Sequence, residues 1–211
     1  VDRGGRLGAA GQHQASGTMS TTCAQAIKNW ETTSGEVAAE ATHVKLYCQI
    51  PPILKLDNAL NSLVNCERLA ISTNAIDRLI PLNGMKSLKI LSLGRNQIKK
   101  IEKLDDVADT LEELWMSYNQ IGSLDGLQGL NNLQVLYLAN NNIKTWGELD
   151  KLAGLSGLRD VLFVGNPIYE GLTKEEARIE VLKHLPNVMK IDGDLVKPSE
   201  RAAAKGGEEE G

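Results

Sequence analysis

The stretch Leu91-Ser-Leu93-Gly-Arg-Asn96-Gln-Ile98 decides the fold, because the chain repeats it. Leu114-Trp-Met116-Ser-Tyr-Asn119-Gln-Ile121 and Leu136-Tyr-Leu138-Ala-Asn-Asn141-Asn-Ile143 follow it. Leu69-Ala-Ile71-Ser-Thr-Asn74-Ala-Ile76 precedes it, and Val161-Leu-Phe163-Val-Gly-Asn166-Pro-Ile168 closes the series. The asparagines at 74, 96, 119, 141 and 166 are spaced by 22, 23, 22 and 25 residues. Three places before the first core position of each copy stands Cys66, Leu88, Leu111, Leu133 or Leu158.

This is the L-x-x-L-x-L-x-x-N-x-I pattern of leucine-rich repeats. The x-L-x-L-x segment alternates inward and outward side chains, as a half-buried strand does. The apolar residue two places after the asparagine turns the chain inward, and the remaining dozen or so residues return over the far side as helix or irregular turn. One such coil cannot bury its own apolar edge, so coils stack and share a core. The asparagine amide satisfies backbone groups in the buried turn, a structural task. The fold class is therefore α/β: a leucine-rich-repeat solenoid with a parallel β-sheet on one face, helices on the other and helical caps at both ends. A degenerate sixth copy precedes the five, with Val44 and Leu46 in the core slots and Gln49 at the asparagine position.

The ends of a solenoid expose apolar surface and strand edges and need covers. Residues 20–43 read as an N-terminal cap, with a helix over Thr22 to Trp30 that turns Ala24, Ile27 and Trp30 toward the first coil. Residues 44–170 hold about six repeats, and residues 171–195 a C-terminal cap. In that cap Thr173 and Glu176 form a capping box, Ile179, Leu182 and Leu185 cover the last coil, and Pro186 ends the helix. Residues 196–211 read as a short helix capped by Ser199 and a flexible acidic tail from Gly206. Residues 1–19 show no periodicity and read as a cloning scar or disordered extension, Met19 resembling a natural start.

The chain of 211 residues is 42% hydrophobic and 24% charged, with a net charge of −4. That balance argues against a nucleic-acid binder. No apolar run reaches the roughly 18 residues of a membrane span, so neither nucleic acid nor membrane is expected as a partner. Cys23, Cys48 and Cys66 are odd in number and contain no C-x-x-C pair, which points to reduced thiols in an intracellular protein. His13, His43 and His184 are scattered. Phosphate-loop, nucleophile-elbow and zinc-helix motifs are absent, and Asp192-Gly193-Asp194 reads as a turn, not a calcium loop. The expectation is a non-enzyme without cofactor or metal.

The residue between the two core positions of each strand faces outward onto the concave sheet. These residues are Lys45, Ala70, Ser92, Trp115, Tyr137 and Leu162; the flanking outward column is Arg68, Ile90, Glu113, Val135 and Asp160. Just beyond the strands come Arg95 and Tyr118. Trp115, Tyr137, Tyr118, Val135 and Leu162 thus gather on one open face in a chain with only 4% aromatic residues. Aromatic and arginine side chains dominate binding hot spots, so this patch, with Arg95 and Arg68, is the candidate partner site. The competing reading is that the C-terminal extension folds back over it. Met189 falls off the core spacing of Leu185, Val188 and Ile191 and, with Arg201, is a candidate second contact. Trp146 occupies the slot of Leu79, Ile101 and Leu124 and is expected in the core.

The run from Leu91 to Ile121, with its Trp115-Met-Ser-Tyr-Asn-Gln120 block, closely resembles the leucine-rich-repeat light chains of axonemal outer-arm dynein. So do Trp146 to Leu155, Arg178 to Val181 and Ile191-Asp-Gly193; the likeness covers about residues 20–195. The resemblance implies a location in the cytoplasm and cytoskeleton, in the axoneme of a cilium or flagellum. It implies a dynein heavy chain as partner, bound at the motor region, with regulation of that motor and contact with tubulin in the microtubule. The short repeat is also similar to a phosphatase-regulating leucine-rich-repeat protein, and the terminal cap to a spliceosomal one; these are the alternatives, together with a passive scaffold.

Overall fold

A computed structural model describes residues 20–206. The readings of residues 1–19 and of the tail beyond Gly206 lie outside the described residues. Six three-residue strands arise from the six copies of the motif: β1 (His43–Lys45), β2 (Arg68–Ala70), β3 (Ile90–Ser92), β4 (Glu113–Trp115), β5 (Val135–Tyr137) and β6 (Asp160–Leu162). They pair in parallel in chain order, and β7 (Lys190–Ile191) joins β6 in the same sense. The register places Lys45, Ala70, Ser92, Trp115, Tyr137 and Leu162 side by side, with Arg68, Ile90, Glu113, Val135 and Asp160 in the next column. The far side returns through single short turns, among them α2 (Gly147–Asp150) and 3-10 turns at Asn58–Ser62, Asp105–Val107 and Pro167–Tyr169.

One apolar core runs the length of the solenoid, from Cys23 to Ala204. Between adjacent coils the asparagines form a ladder. Asn96 accepts from the Ile76 amide through Oδ1 at 3.0 Å and donates through Nδ2 to the carbonyls of Ile71 and Leu93. Asn119 does the same with Ile98, Leu93 and Met116, and Asn141 with Ile121, Met116 and Leu138. Each buried amide so closes one coil on the coil before it. Gln49, at the asparagine position of the first copy, has no earlier coil to bridge, and its side-chain amide donates only to the Tyr47 carbonyl. At the other end Asp192 takes the ladder's place, its Oδ1 accepting from the amides of Phe163 and Val164.

The caps follow the local signals with corrections. α1 (Cys23–Ser34) starts at Thr22, whose Oγ1 accepts from the Gln25 amide, and ends at Gly35 with φ 75. Its buried face is Cys23, Ala26 and Ile27, with Trp30 half-buried. Ala24 is exposed, because the helix presents the i, i+3, i+4, i+7 stripe that begins at Cys23. α3 (Lys174–His184) carries the expected Thr173–Glu176 capping box. It buries Ala177, Arg178, Val181 and Leu182, and leaves Ile179 half-buried. Asp192 and Gly193, with φ 51 and 88, form a two-residue hairpin turn into β8 (Asp194–Leu195), which pairs antiparallel with β7. α4 (Pro198–Gly206) begins at Pro198, one residue before the expected Ser199 cap, with Glu200 accepting from the Lys197 amide. Trp146, expected in the core, is half-buried and stacked between Tyr169 and His184, at 5.9 Å from each ring.

Candidate protein-docking site

The concave sheet carries the candidate site. The alternation that buries Leu114 and Leu136 turns Trp115 and Tyr137 to the open side, and the parallel register sets them next to each other. Their rings stack with centroids 5.8 Å apart and planes at 27°. Trp115 Nε1 donates to Glu113 Oε2 at 3.1 Å, which pins the indole against its own strand. Tyr137 donates its hydroxyl to Asp160 Oδ2 at 2.9 Å, and Lys190 Nζ reaches the same oxygen at 3.0 Å. Desolvation, followed by the Asp160 hydrogen bond, pushes the Tyr137 phenol up to about 12, so it stays a neutral donor. Aromatic faces held in this way are ordered before a partner arrives.

Arg95 and Tyr118 occupy a position with a backbone signature of its own. In every copy the residue before the asparagine position has positive φ: Cys48 53, Thr73 55, Arg95 56, Tyr118 60, Asn140 54 and Gly165 80. This left-handed conformation is unfavourable for ordinary side chains, and the turn into the buried asparagine imposes it. It aligns Arg95 and Tyr118 on neighbouring coils, with the guanidinium carbon 4.2 Å from the ring centroid, a cation–π pair. Trp115 is 38% and Tyr118 47% exposed, and Val135 and Leu162 are half-buried beside them.

α4 does not cover this patch. It packs against α3 at the end of the solenoid, held by Arg178 and Arg201. Arg178 is buried, and its guanidinium binds both Glu200 oxygens, at 2.6 and 3.0 Å, and the carbonyls of Ile191 and Leu195. Arg201 donates to the carbonyls of Pro186 and Val188. Its guanidinium is thus anchored to the chain's own backbone, with the side chain half-buried. Met189 is 57% exposed and stands next to Lys190 of β7, the strand paired with β6. Arg68 is exposed at the N-terminal side of the sheet, beside His43 and Lys45, two residues that the sequence reading did not single out as contacts.

Residues 109–168 match the family described as Leucine Rich repeats (2 copies). The chain is 60% identical over 177 residues to Dynein axonemal light chain 1 of Danio rerio, covering 83% of this chain and 92% of that protein. The chain belongs to the axonemal dynein light chain 1 family. The light chain 1 of Chlamydomonas reinhardtii is 57% identical over 188 residues, 87% of this chain and 95% of its own length. Among solved structures, an internalin C2 from Listeria monocytogenes superposes with a TM-score of 0.53 at 21% identity, over 85% of this chain and 88% of that one. That likeness, at 21% identity, shows the fold alone.

No group of His, Cys, Asp and Glu that could hold a metal ion occurs among the described residues. None of their helices is long and apolar enough to cross a membrane. The cysteines are unpaired; Cys23 and Cys66 are buried, and desolvation pushes both thiols up to about 11, far from the reactive thiolate form.

Proposed function

We propose that this chain is a non-catalytic subunit of an axonemal outer-arm dynein in cilia or flagella. It docks through its concave face to the motor region of a heavy chain and regulates motility. The observation that carries this reading is the Trp115–Tyr137 stack: a preordered aromatic pair on a sheet that neither cap covers. Family membership supplies the class of partner, since the relatives are named as axonemal dynein light chains. Trp115, Tyr137, Tyr118, Arg95, Val135 and Leu162 form the contact, with Arg68 at its N-terminal margin. Met189, exposed beside β7 at the C-terminal end of the sheet, then offers a contact to a second surface, such as tubulin in the microtubule.

The test compares the folded wild type with Trp115→Ala/Tyr137→Ala in reconstitution onto axonemes depleted of their light chain. Recovery of the heavy chain by the wild type alone is the expected result. Equal recovery by both proteins moves the contact off the concave face. Recovery of a phosphatase or splicing factor instead removes the dynein reading and leaves the solenoid.

A further inference from the structure

Beside the aromatic patch, over β1 to β4, lies a trough of about 510 Å³. Its floor is made of small side chains, Ala70 and Ser92. Trp115 and Glu113 stand at one end, and Lys45 and Arg68 at the other. The two ends differ in the sign of their charge. Glu113 accepts from Trp115 Nε1, and Asp160 is bonded by Tyr137 and Lys190. Lys45 and Arg68 are both exposed and, among the described residues, neither makes a salt bridge. Arg68 pairs in register with His43 and sits diagonally from Lys45, so no acid stands beside it in β1. In a chain of net charge −4, Lys45 and Arg68 set a local positive field at this rim of the face.

We propose that the segment seated on the concave face is acidic at one end and apolar at the other, and lies across the strands in one direction. This rests on the reading of that face as the heavy-chain docking surface. Its large apolar side chain fills the trough against the Trp115 indole, and its carboxylates meet Lys45 and Arg68. Lys45 and Trp115 share a register position in β1 and β4, three strand spacings apart, so the two anchors of the partner stand about 14 Å apart. The opposite direction brings the carboxylates to Glu113, where like charges repel.

The test is binding of the full chain to purified axonemal dynein heavy chain stripped of this light chain, at low and at moderate salt. Lys45→Glu/Arg68→Glu is expected to weaken binding about tenfold at low salt, with the loss shrinking as salt rises. Lys45→Ala/Arg68→Ala should weaken it less, in the same direction. Lys99→Glu/Lys100→Glu, on exposed residues outside the trough, should change it less than about twofold. Thermal melts of each variant confirm the fold. If Trp115→Ala/Tyr137→Ala abolishes binding while the charge reversals leave it and its salt dependence unchanged, the acidic segment is refuted and the docking face stands. If no concave variant changes binding, the docking face itself is wrong and the acidic segment falls with it.

Discussion

The Trp115 indole and the Tyr137 ring, one residue each from neighbouring coils, stack at 5.8 Å and 27°, and each is tied by its polar atom to an acid, Glu113 or Asp160. Stacking on an exposed face contributes modestly to stability and far more to a partner that buries it. Trp115→Ala should therefore lower unfolding free energy by no more than about 1.5 kcal/mol, while weakening heavy-chain binding more than about tenfold. Tyr137→Phe keeps the stack and removes the hydrogen bond to Asp160, at a cost of about 1 kcal/mol. Urea titration and a binding isotherm on the same preparations separate the two effects. A Trp115→Ala loss of several kcal/mol would show that the indole is a structural element and not a contact.

The asparagine ladder predicts a sharp contrast between repeats. Asn119→Ala leaves the buried Ile98 amide without a partner, while the carbonyls of Leu93 and Met116 keep their bonds from Asn96 and Asn141. An unsatisfied buried group costs about 1–3 kcal/mol, so a loss of about that size is expected in denaturant unfolding. Gln49→Ala, at the same position of the first coil, should cost under about 0.5 kcal/mol, because Gln49 bridges nothing.

The C-terminal latch should respond to acid. Arg178 holds the Glu200 carboxyl down to about 2, first by its hydrogen bonds and then by its charge. A depressed carboxylate adds stability that is present above the ordinary carboxylate pKa and is lost as pH falls through the lowered one. α4 docking should thus weaken between about pH 4.5 and about pH 2. Glu200→Gln should remove that dependence and, by leaving Arg178 buried without its counter-charge, cost about 3 kcal/mol at pH 7. Hydrogen exchange in α4 as a function of pH reads this directly; protection in the wild type that is unchanged down to pH 2 contradicts it.

Two glycines of one coil should behave in opposite ways. Gly126 has φ +88, and a Cβ there would lie 2.2 Å from the Ile101 carbonyl oxygen, a backbone atom of the preceding coil. Gly126→Ala forces the coils apart and should cost about 2–3 kcal/mol. Gly129 has nothing within 4 Å of the corresponding position. Gly129→Ala should be neutral or stabilise by up to about 1 kcal/mol, by restricting the unfolded chain. Parallel thermal melts decide, and equal effects at both positions would refute the close approach.

What the sequence by itself determined is everything the repeat makes local. The period of two within Leu91-Ser-Leu93 assigns Leu91 to the core and Ser92 to the sheet surface. The spacing of about 22 residues stacks one copy on the next, so the columns through Trp115 and Tyr137 could be written down without coordinates. The Thr173–Glu176 box lies within a single turn of chain and was equally legible. Only the tertiary structure decided which charges are answered. That depends on pairs far apart in the chain: Tyr137 with Asp160, Asp160 with Lys190, Arg178 with Glu200, Arg201 with Pro186 and Val188. At the ends the repeat stops, and single-residue rules about arginine or about Ala24 no longer hold. A buried guanidinium is stable where four partners converge on it, and a helix face is chosen by the coil that it covers. Lys45 and Arg68 stand out for the same reason: their exposed charges take meaning only once the folded sheet shows that nothing in the described chain neutralises them.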